Sequence, residues 1–177
     1  MLMNQRDNII LIGFMGSGKT TLGKWISQNV GFNFCDTDDY IEETTQMSIN
    51  DIFQKYGEEY FRDLETKTIG DLRDKLCNTV ISVGGGLPVR AQNREIMHQL
   101  GFVVYLKTSE AALVARLRGD TKRPLLAGED VQAKIHSLME AREALYLEAA
   151  DITVTTDGKA LEQIYNEIEN AIIGQNP

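Results

Sequence analysis

An α/β fold with a parallel sheet and helices on both faces is predicted for this 177-residue chain, from three observations. Short strand-like runs alternate with amphipathic helical patterns along the sequence, and strands separated by helices pair in parallel with the helices covering the sheet. The first strand runs directly into Gly13-Phe14-Met15-Gly16-Ser17-Gly18-Lys19-Thr20. That segment fits G-x-x-x-x-G-K-[ST], a phosphate-binding loop that requires a strand before it and a helix after it. Polar and glycine-rich segments also follow the ends of the next two strands, where ligands of such sheets bind.

The elements follow in order. Ile9-Ile10-Leu11-Ile12 is a continuous apolar run and reads as a buried strand. Beyond the loop, Leu22, Trp25, Ile26 and Val30 recur at helical spacing. Phe32 to Cys35 is a short strand ending at Asp36. Ser48 opens a helix through the pattern Ser48-x-x-Asp51, with Ile49, Ile52, Phe53 and Tyr56 on one face. Gly57 interrupts it, and a longer helix carries Phe61, Leu64, Thr68, Leu72 and Leu76 along its stripe. Val80 to Val83 is the third strand and ends in Gly84-Gly85-Gly86. A weaker helix through Ile96, Met97 and Leu100 leads to the fourth strand, Phe102 to Leu106. Ser109 caps a helix bearing Leu113, Val114 and Leu117. The pattern is lost between Arg118 and Asp130, where Gly119, Pro124 and Gly128 indicate a loop. It returns from Val131 to Tyr146. Ile152 to Thr155 is the fifth strand, before a terminal helix with Leu161, Ile164, Tyr165, Ile168 and Ile172. With no repeat or linker, residues 1–177 are expected to form one domain.

Composition narrows the classes. Hydrophobic residues at 42% and charged residues at 25% are ordinary for a globular protein. A net charge of −8 argues against nucleic acid as a partner. No apolar run is long enough to span a membrane, and the N-terminal residues lack a signal-peptide pattern, so a cytoplasmic location is expected. Cys35 and Cys77 are read as reduced, core-filling residues. His98 and His136 lack metal-ligand spacing and are assigned to helix surfaces.

The loop's chemistry comes from its backbone. Glycines let successive N–H groups turn around an anion, and the helix N-terminus adds its positive end. Gly16, Ser17, Gly18, Lys19, Thr20 and Thr21 are the candidate nucleotide-binding residues; Lys19 reaches the terminal phosphates and Thr20 offers its hydroxyl to magnesium. Asp36 and Asp38 lie at the mouth of this site. One can hold Mg²⁺ through water while the other orients an acceptor hydroxyl and takes its proton. The competing reading is an acidic turn that starts the next helix, with Asp39 as its cap.

Charges on apolar helix faces mark the acceptor side. With Phe61 at zero, steps of about 100° per residue put Leu64, Leu72 and Leu76 within about 60° of it; Glu65 falls inside that arc and Arg62 at its edge. Three residues apart, they can pair, either as a buried structural ion pair or with Glu65 aiming Arg62 at a substrate anion. Arg142 sits near the centre of the stripe Val131, Ile135, Leu138, Met139, Leu145 and Tyr146. A buried guanidinium requires an anion beside it, from the protein or from a ligand. Arg116, Arg118, Lys122 and Arg123 suit a mobile lid over about 116–128, or a solvated basic loop. Gly84, Gly85 and Gly86 leave room for close approach and suggest a wall of the acceptor pocket.

Together the phosphate loop, Asp36-Thr37-Asp38, Phe61-Arg62-x-x-Glu65, the triple glycine, Arg123-Pro124-Leu125-Leu126 and Arg142-x-x-Leu145-Tyr146 resemble shikimate kinases. The resemblance runs from about Ile9 to Thr156. It implies a P-loop kinase fold of the nucleoside monophosphate kinase type, in three layers, with a five-stranded parallel sheet ordered 2-3-1-4-5. It also implies transfer of the ATP γ-phosphoryl group to the 3-hydroxyl of shikimate, within aromatic amino-acid biosynthesis. The roles implied are Asp38 as hydroxyl ligand and base, Asp36 near magnesium through water, and Arg62 and Arg142 on the shikimate carboxylate. Gly84 touches substrate, Gly85 and Gly86 are further substrate-binding positions beside it, and a shikimate-binding region spans about 36–65. Arg123 reaches the transferring phosphates and Arg116 lies beside the adenine. A monomer is implied. The chain departs from the pattern after the fifth strand, where Lys159 stands in place of an adenine-side Arg. Related kinases for gluconate or a nucleotide, and a slow ATP-hydrolysing switch, are the rival readings.

Overall fold

In the computed structural model, which describes residues 7–118 and 130–175, five strands lie in parallel. They are β1 (Ile9–Ile12), β2 (Asn33–Asp36), β3 (Thr79–Ser82), β4 (Phe102–Lys107) and β5 (Ile152–Thr155), in the spatial order β2-β3-β1-β4-β5. The helices are α1 (Lys19–Val30), α2 (Thr37–Thr45), α3 (Ile49–Arg73), α4 (Ala91–Leu100), α5 (Glu110–Leu117), α6 (Val131–Ala149) and α7 (Leu161–Gln175), with a 3-10 turn at Leu87–Val89.

Side-chain alternation along the sheet divides the core in two. Ile9 and Leu11 face Leu22 and Ile26 of α1 and Ile164 and Ile168 of α7. Ile10 and Ile12 face the opposite way, onto Ile69 of α3, Met97 of α4, Leu113 of α5 and Tyr146 of α6. β1 is central and buried on both faces, so its sequence is apolar throughout rather than alternating. A smaller cluster of Ile41, Ile52 and Phe61 joins α2 to α3 beside the sheet.

Asn8 ties the strand entrances together. Its amide donates to the carbonyls of Leu76 (3.0 Å) and Leu100 (2.9 Å), and its carbonyl accepts from Thr79 N–H (3.0 Å). Ser48 caps α3, accepting from Asp51 N–H at 3.1 Å, and Gly57 breaks that helix at φ 83°. Both agree with the sequence reading, as does Ser109 capping α5.

Two expectations are corrected, and one element is new. Asp36, not Asp39, caps α2: its Oδ1 accepts from Asp38 N–H at 3.0 Å and Asp39 N–H at 3.5 Å. A strand-end residue with extended φ and ψ is the one whose carboxylate can turn back onto those amides. Cys77 is exposed rather than core-filling, because it lies on the turn after α3; Cys35 is half-buried against the core. The 3-10 turn was not anticipated, since three residues carry no periodicity.

Candidate active site

The parallel register brings three strand ends to one edge. Ser82 is opposite Asp36 on one side and Leu11 on the other, so the exits of β2, β3 and β1 form a row. From those exits spring α2, the triple glycine and the phosphate loop, which line one cavity of about 950 Å³. That volume is at the upper end for a small-molecule site and suits two reactants better than one.

The donor half is the loop and α1. Gly18 adopts φ 94° as it caps α1, a left-handed conformation that glycine takes without strain. Lys19 Nζ donates to the carbonyls of Gly13 (2.8 Å) and Phe14 (3.0 Å), laying the ammonium across the loop. The Thr20 hydroxyl donates to Asp36 Oδ2 at 2.8 Å and lies 3.4 Å from Ser82 Oγ. Gly16, Ser17, Gly18 and Thr21 also line the cavity. Arg116 lines it too and donates to the Gly16 carbonyl at 2.8 Å, joining α5 to the loop. Thr156, Lys159, Leu161 and Ile164 close this end. The Lys159 ammonium is engaged by Glu167 at 2.6 Å.

The half of the cavity expected to take an acceptor is built from α2, α3, α6 and the triple glycine. Asp38 sits in the first turn of α2, so it shares the cavity with Asp36 through a helix start and not through one extended segment. Arg62 is 9% exposed and Glu65 1%, and their ion pair is 2.6 Å long. Burial pushes the Glu65 carboxyl up to about 7, against the pull of Arg62 and with help from Asp38. Burial opposes the charge on Arg62, but Glu65 and Glu58 outweigh it and raise its pKa further. Arg142 is 6% exposed, and among the described residues its Nη1 has no hydrogen-bond partner. A buried donor left unmade at a cavity wall is costly unless a group entering the cavity accepts from it.

The triple glycine works by clearance. A Cβ on Gly86 would strike the guanidinium of Arg62, and one on Gly84 would lie 2.7 Å from Glu65 Oε1 and 2.9 Å from Asp38 Oδ1. Gly84 N–H donates to Thr37 Oγ1 (3.1 Å), and the Tyr146 hydroxyl donates to the Gly85 carbonyl (2.5 Å), which pins this turn between α2 and α6.

Thus Gly16, Ser17, Gly18, Lys19, Thr20, Thr21, Asp36, Asp38, Arg62, Gly84, Gly85, Gly86, Arg116 and Arg142 all line the same cavity. Arg123 and residues 119–128 of the expected lid lie outside the described residues. Sequence reasoning missed Thr37, Ser82 and Glu58. The last was detectable: it is four residues before Arg62, the spacing of a helical ion pair, and its carboxylate lies 3.0 Å from Nη2.

Residues 15–173 match the family model described as Shikimate kinase. The chain belongs to the shikimate kinase family. A curated shikimate kinase of Persephonella marina is 43% identical over 161 residues, covering 91% of this chain and 96% of that protein. One from Geobacter sulfurreducens is 40% identical, covering 91% and 88%. Among solved structures, shikimate kinase from Acinetobacter baumannii in complex with shikimate superposes with a TM-score of 0.90 at 37% identity, covering 97% of this chain and 95% of that one. The P-loop kinase fold and the strand order expected from the sequence are those of this family.

Proposed function

We propose that the protein transfers the γ-phosphoryl group of ATP to the 3-hydroxyl of shikimate, giving shikimate 3-phosphate and ADP in the route to aromatic amino acids. The observation that carries this is the buried guanidinium of Arg142, whose Nη1 has no hydrogen-bond partner among the described residues and which shares a cavity with Arg62, Asp38 and a phosphate loop. Two guanidiniums suit a carboxylate, and an adjacent carboxylate suits hydroxyls; a nucleobase acceptor would give them no task.

In this mechanism Arg62 and Arg142 hold the acceptor carboxylate, and Asp38 orients the 3-hydroxyl toward the donor phosphate. As the hydroxyl oxygen bonds to the γ-phosphorus, Asp38 accepts its proton and the bond to the β–γ bridging oxygen breaks. Loop N–H groups and Lys19 spread the negative charge that shifts onto the departing ADP. Arg123 is assigned to the transferring group on its sequence position, and Arg116 to the nucleoside end. Thr20 Oγ1 and Asp36 Oδ2, hard oxygen donors 2.8 Å apart, fit a magnesium ion, with Asp36 acting through water. When bound, that ion would offset negative charge on the phosphates. Among the described residues no helix is long and apolar enough to cross a membrane. The free thiols of Cys35 and Cys77 fit the reducing cytoplasm, where we place a monomeric enzyme.

ADP release by the purified protein with ATP and magnesium, measured with and without shikimate, tests the reading. Strong stimulation by shikimate is expected. Equal release in both conditions, or stimulation by gluconate instead, overturns it.

A further inference from the structure

We propose that Glu58 competes with the acceptor's carboxylate for Arg62 and so sets how tightly the acceptor binds. The inference rests on the functional reading above. Arg62 is flanked by two protein carboxylates of opposite character. Its Nη1 is 2.6 Å from Glu65, which is 1% exposed, and its Nη2 is 3.0 Å from Glu58, which is 49% exposed. A two-point grip on an incoming carboxylate uses at least one of these terminal nitrogens, because a guanidinium fork pairs either both Nη atoms or Nε with one of them. Every such grip therefore shares a nitrogen with a carboxylate already in place, or displaces it.

The two glutamates differ in what displacement costs. Moving Glu65 would strand a buried carboxylate with Asp38 nearby, which is strongly unfavourable. Glu58 has an inexpensive alternative in solvent. Gly57 breaks α3 at φ 83°, so Glu58 stands in the first turn of the helical stretch that continues to Arg73. A carboxylate is favoured there without any partner, because the turn's unpaired N–H groups carry partial positive charge. Glu58 is also not needed to aim Arg62, since Glu65 and the Gly86 backbone already hold the guanidinium on two sides.

The local charge points the same way. Glu58, Glu65 and Asp38 face Arg62 and Arg142, with the Tyr146 hydroxyl held above its ordinary pKa by burial and engaged with Gly85. An acceptor carboxylate adds a further negative group to this cluster. Releasing Glu58 restores Arg62 to one buried partner and one ligand.

Glu58→Gln removes the competing charge and retains side-chain volume. Titration of shikimate into the wild-type and variant proteins by calorimetry, with steady-state kinetics alongside, reads the effect. A half-exposed helical ion pair contributes about 0.3–1 kcal/mol, so shikimate should bind the variant about two- to five-fold more tightly, with KM falling in step and kcat within about two-fold. Shikimate methyl ester, which lacks the anion, should bind both proteins alike. A purely structural role for Glu58 would loosen Arg62 and weaken binding instead. Unchanged or weaker shikimate binding in the variant, or an equal gain for the ester, overturns the inference while wild-type turnover leaves the functional reading standing. A wild-type protein that ignores shikimate in both binding and turnover overturns both.

Discussion

Replacing Gly86 with alanine tests the acceptor site through a single methyl group. Gly86 has φ −91° and ψ −12°, a right-handed conformation open to alanine, so no backbone strain is introduced. The added Cβ would instead fall on the guanidinium of Arg62, inside contact distance of Nη1, Cζ and Nη2. Carbon and nitrogen atoms settle at about 3.5–4.0 Å, so the guanidinium must retreat by on the order of 1 Å. That displacement disturbs both the 2.6 Å pair with Glu65 and the proposed grip on the acceptor carboxylate. Charge-assisted hydrogen bonds contribute about 1.5–3 kcal/mol each, and losing half of two of them amounts to about 1.5–3 kcal/mol. The expected rise in KM for shikimate is about 10- to 150-fold, with KM for ATP within about two-fold. Coupled ADP-release kinetics measure both, and a thermal melt checks the fold. The neighbours provide graded controls. At Gly85 the nearest atom to a new Cβ is the Gly13 carbonyl at 3.4 Å, an ordinary contact, so alanine should be tolerated. At Gly84 the methyl presses on Glu65 and Asp38, so kcat should fall as well as affinity. A Gly86→Ala enzyme with shikimate KM within about three-fold of wild type, or a Gly85→Ala enzyme more impaired than it, refutes the clearance argument.

Glu65→Gln separates a buried acid from a conventional salt bridge. Because burial raises the Glu65 pKa to about 7 from 4.5, its contribution to stability is complete below about pH 4.5 and is lost as pH rises through 7. The glutamine variant should therefore gain stability relative to wild type between about pH 5 and 8, by on the order of 3 kcal/mol at most; urea unfolding showing a flat or opposite trend contradicts this. Asp38→Asn should retain nucleotide binding while turnover falls by about 10² or more, and near-normal turnover removes its role with the hydroxyl. Asn8→Ala strands two carbonyls and one N–H at a position 4% exposed, so unfolding free energy should drop by about 2–4 kcal/mol. A loss below about 1 kcal/mol would mean that water replaces the side chain.

The donor half was legible because its function is local. A strand, eight loop residues and a helix are contiguous, and the chemistry lies in the backbone they impose. The acceptor half was legible for a different reason: Arg62, Glu65 and Arg142 violate the apolar stripes of their helices, and burial confirms each violation at 9%, 1% and 6% exposure. What escaped depends on tertiary placement. Ser82 is one more small residue in a strand until the register sets it between Asp36 and the phosphate loop. Thr37 carries no signal of its own until Gly84 donates to it. The triple glycine suggested room for a ligand, yet part of that room is taken by the protein's own Arg62, Glu65 and Asp38.

Asp36 joins two roles that the sequence reading divided, with the helix cap given to Asp39 and the metal-side carboxylate to Asp36. Its two oxygens divide the tasks. Oδ1 accepts from the amides of Asp38 and Asp39 and starts α2, while Oδ2 accepts from the Thr20 hydroxyl at the phosphate loop. One carboxylate therefore fixes the helix that carries Asp38 and, at the same time, the residue proposed to meet magnesium. The distance between proposed base and donor is then set by a rigid group rather than by a loop, which is the economy that phosphoryl transfer requires when positioning supplies most of the catalysis. Helix capping and the proposed metal contact are the work of one carboxylate, divided between its two oxygens.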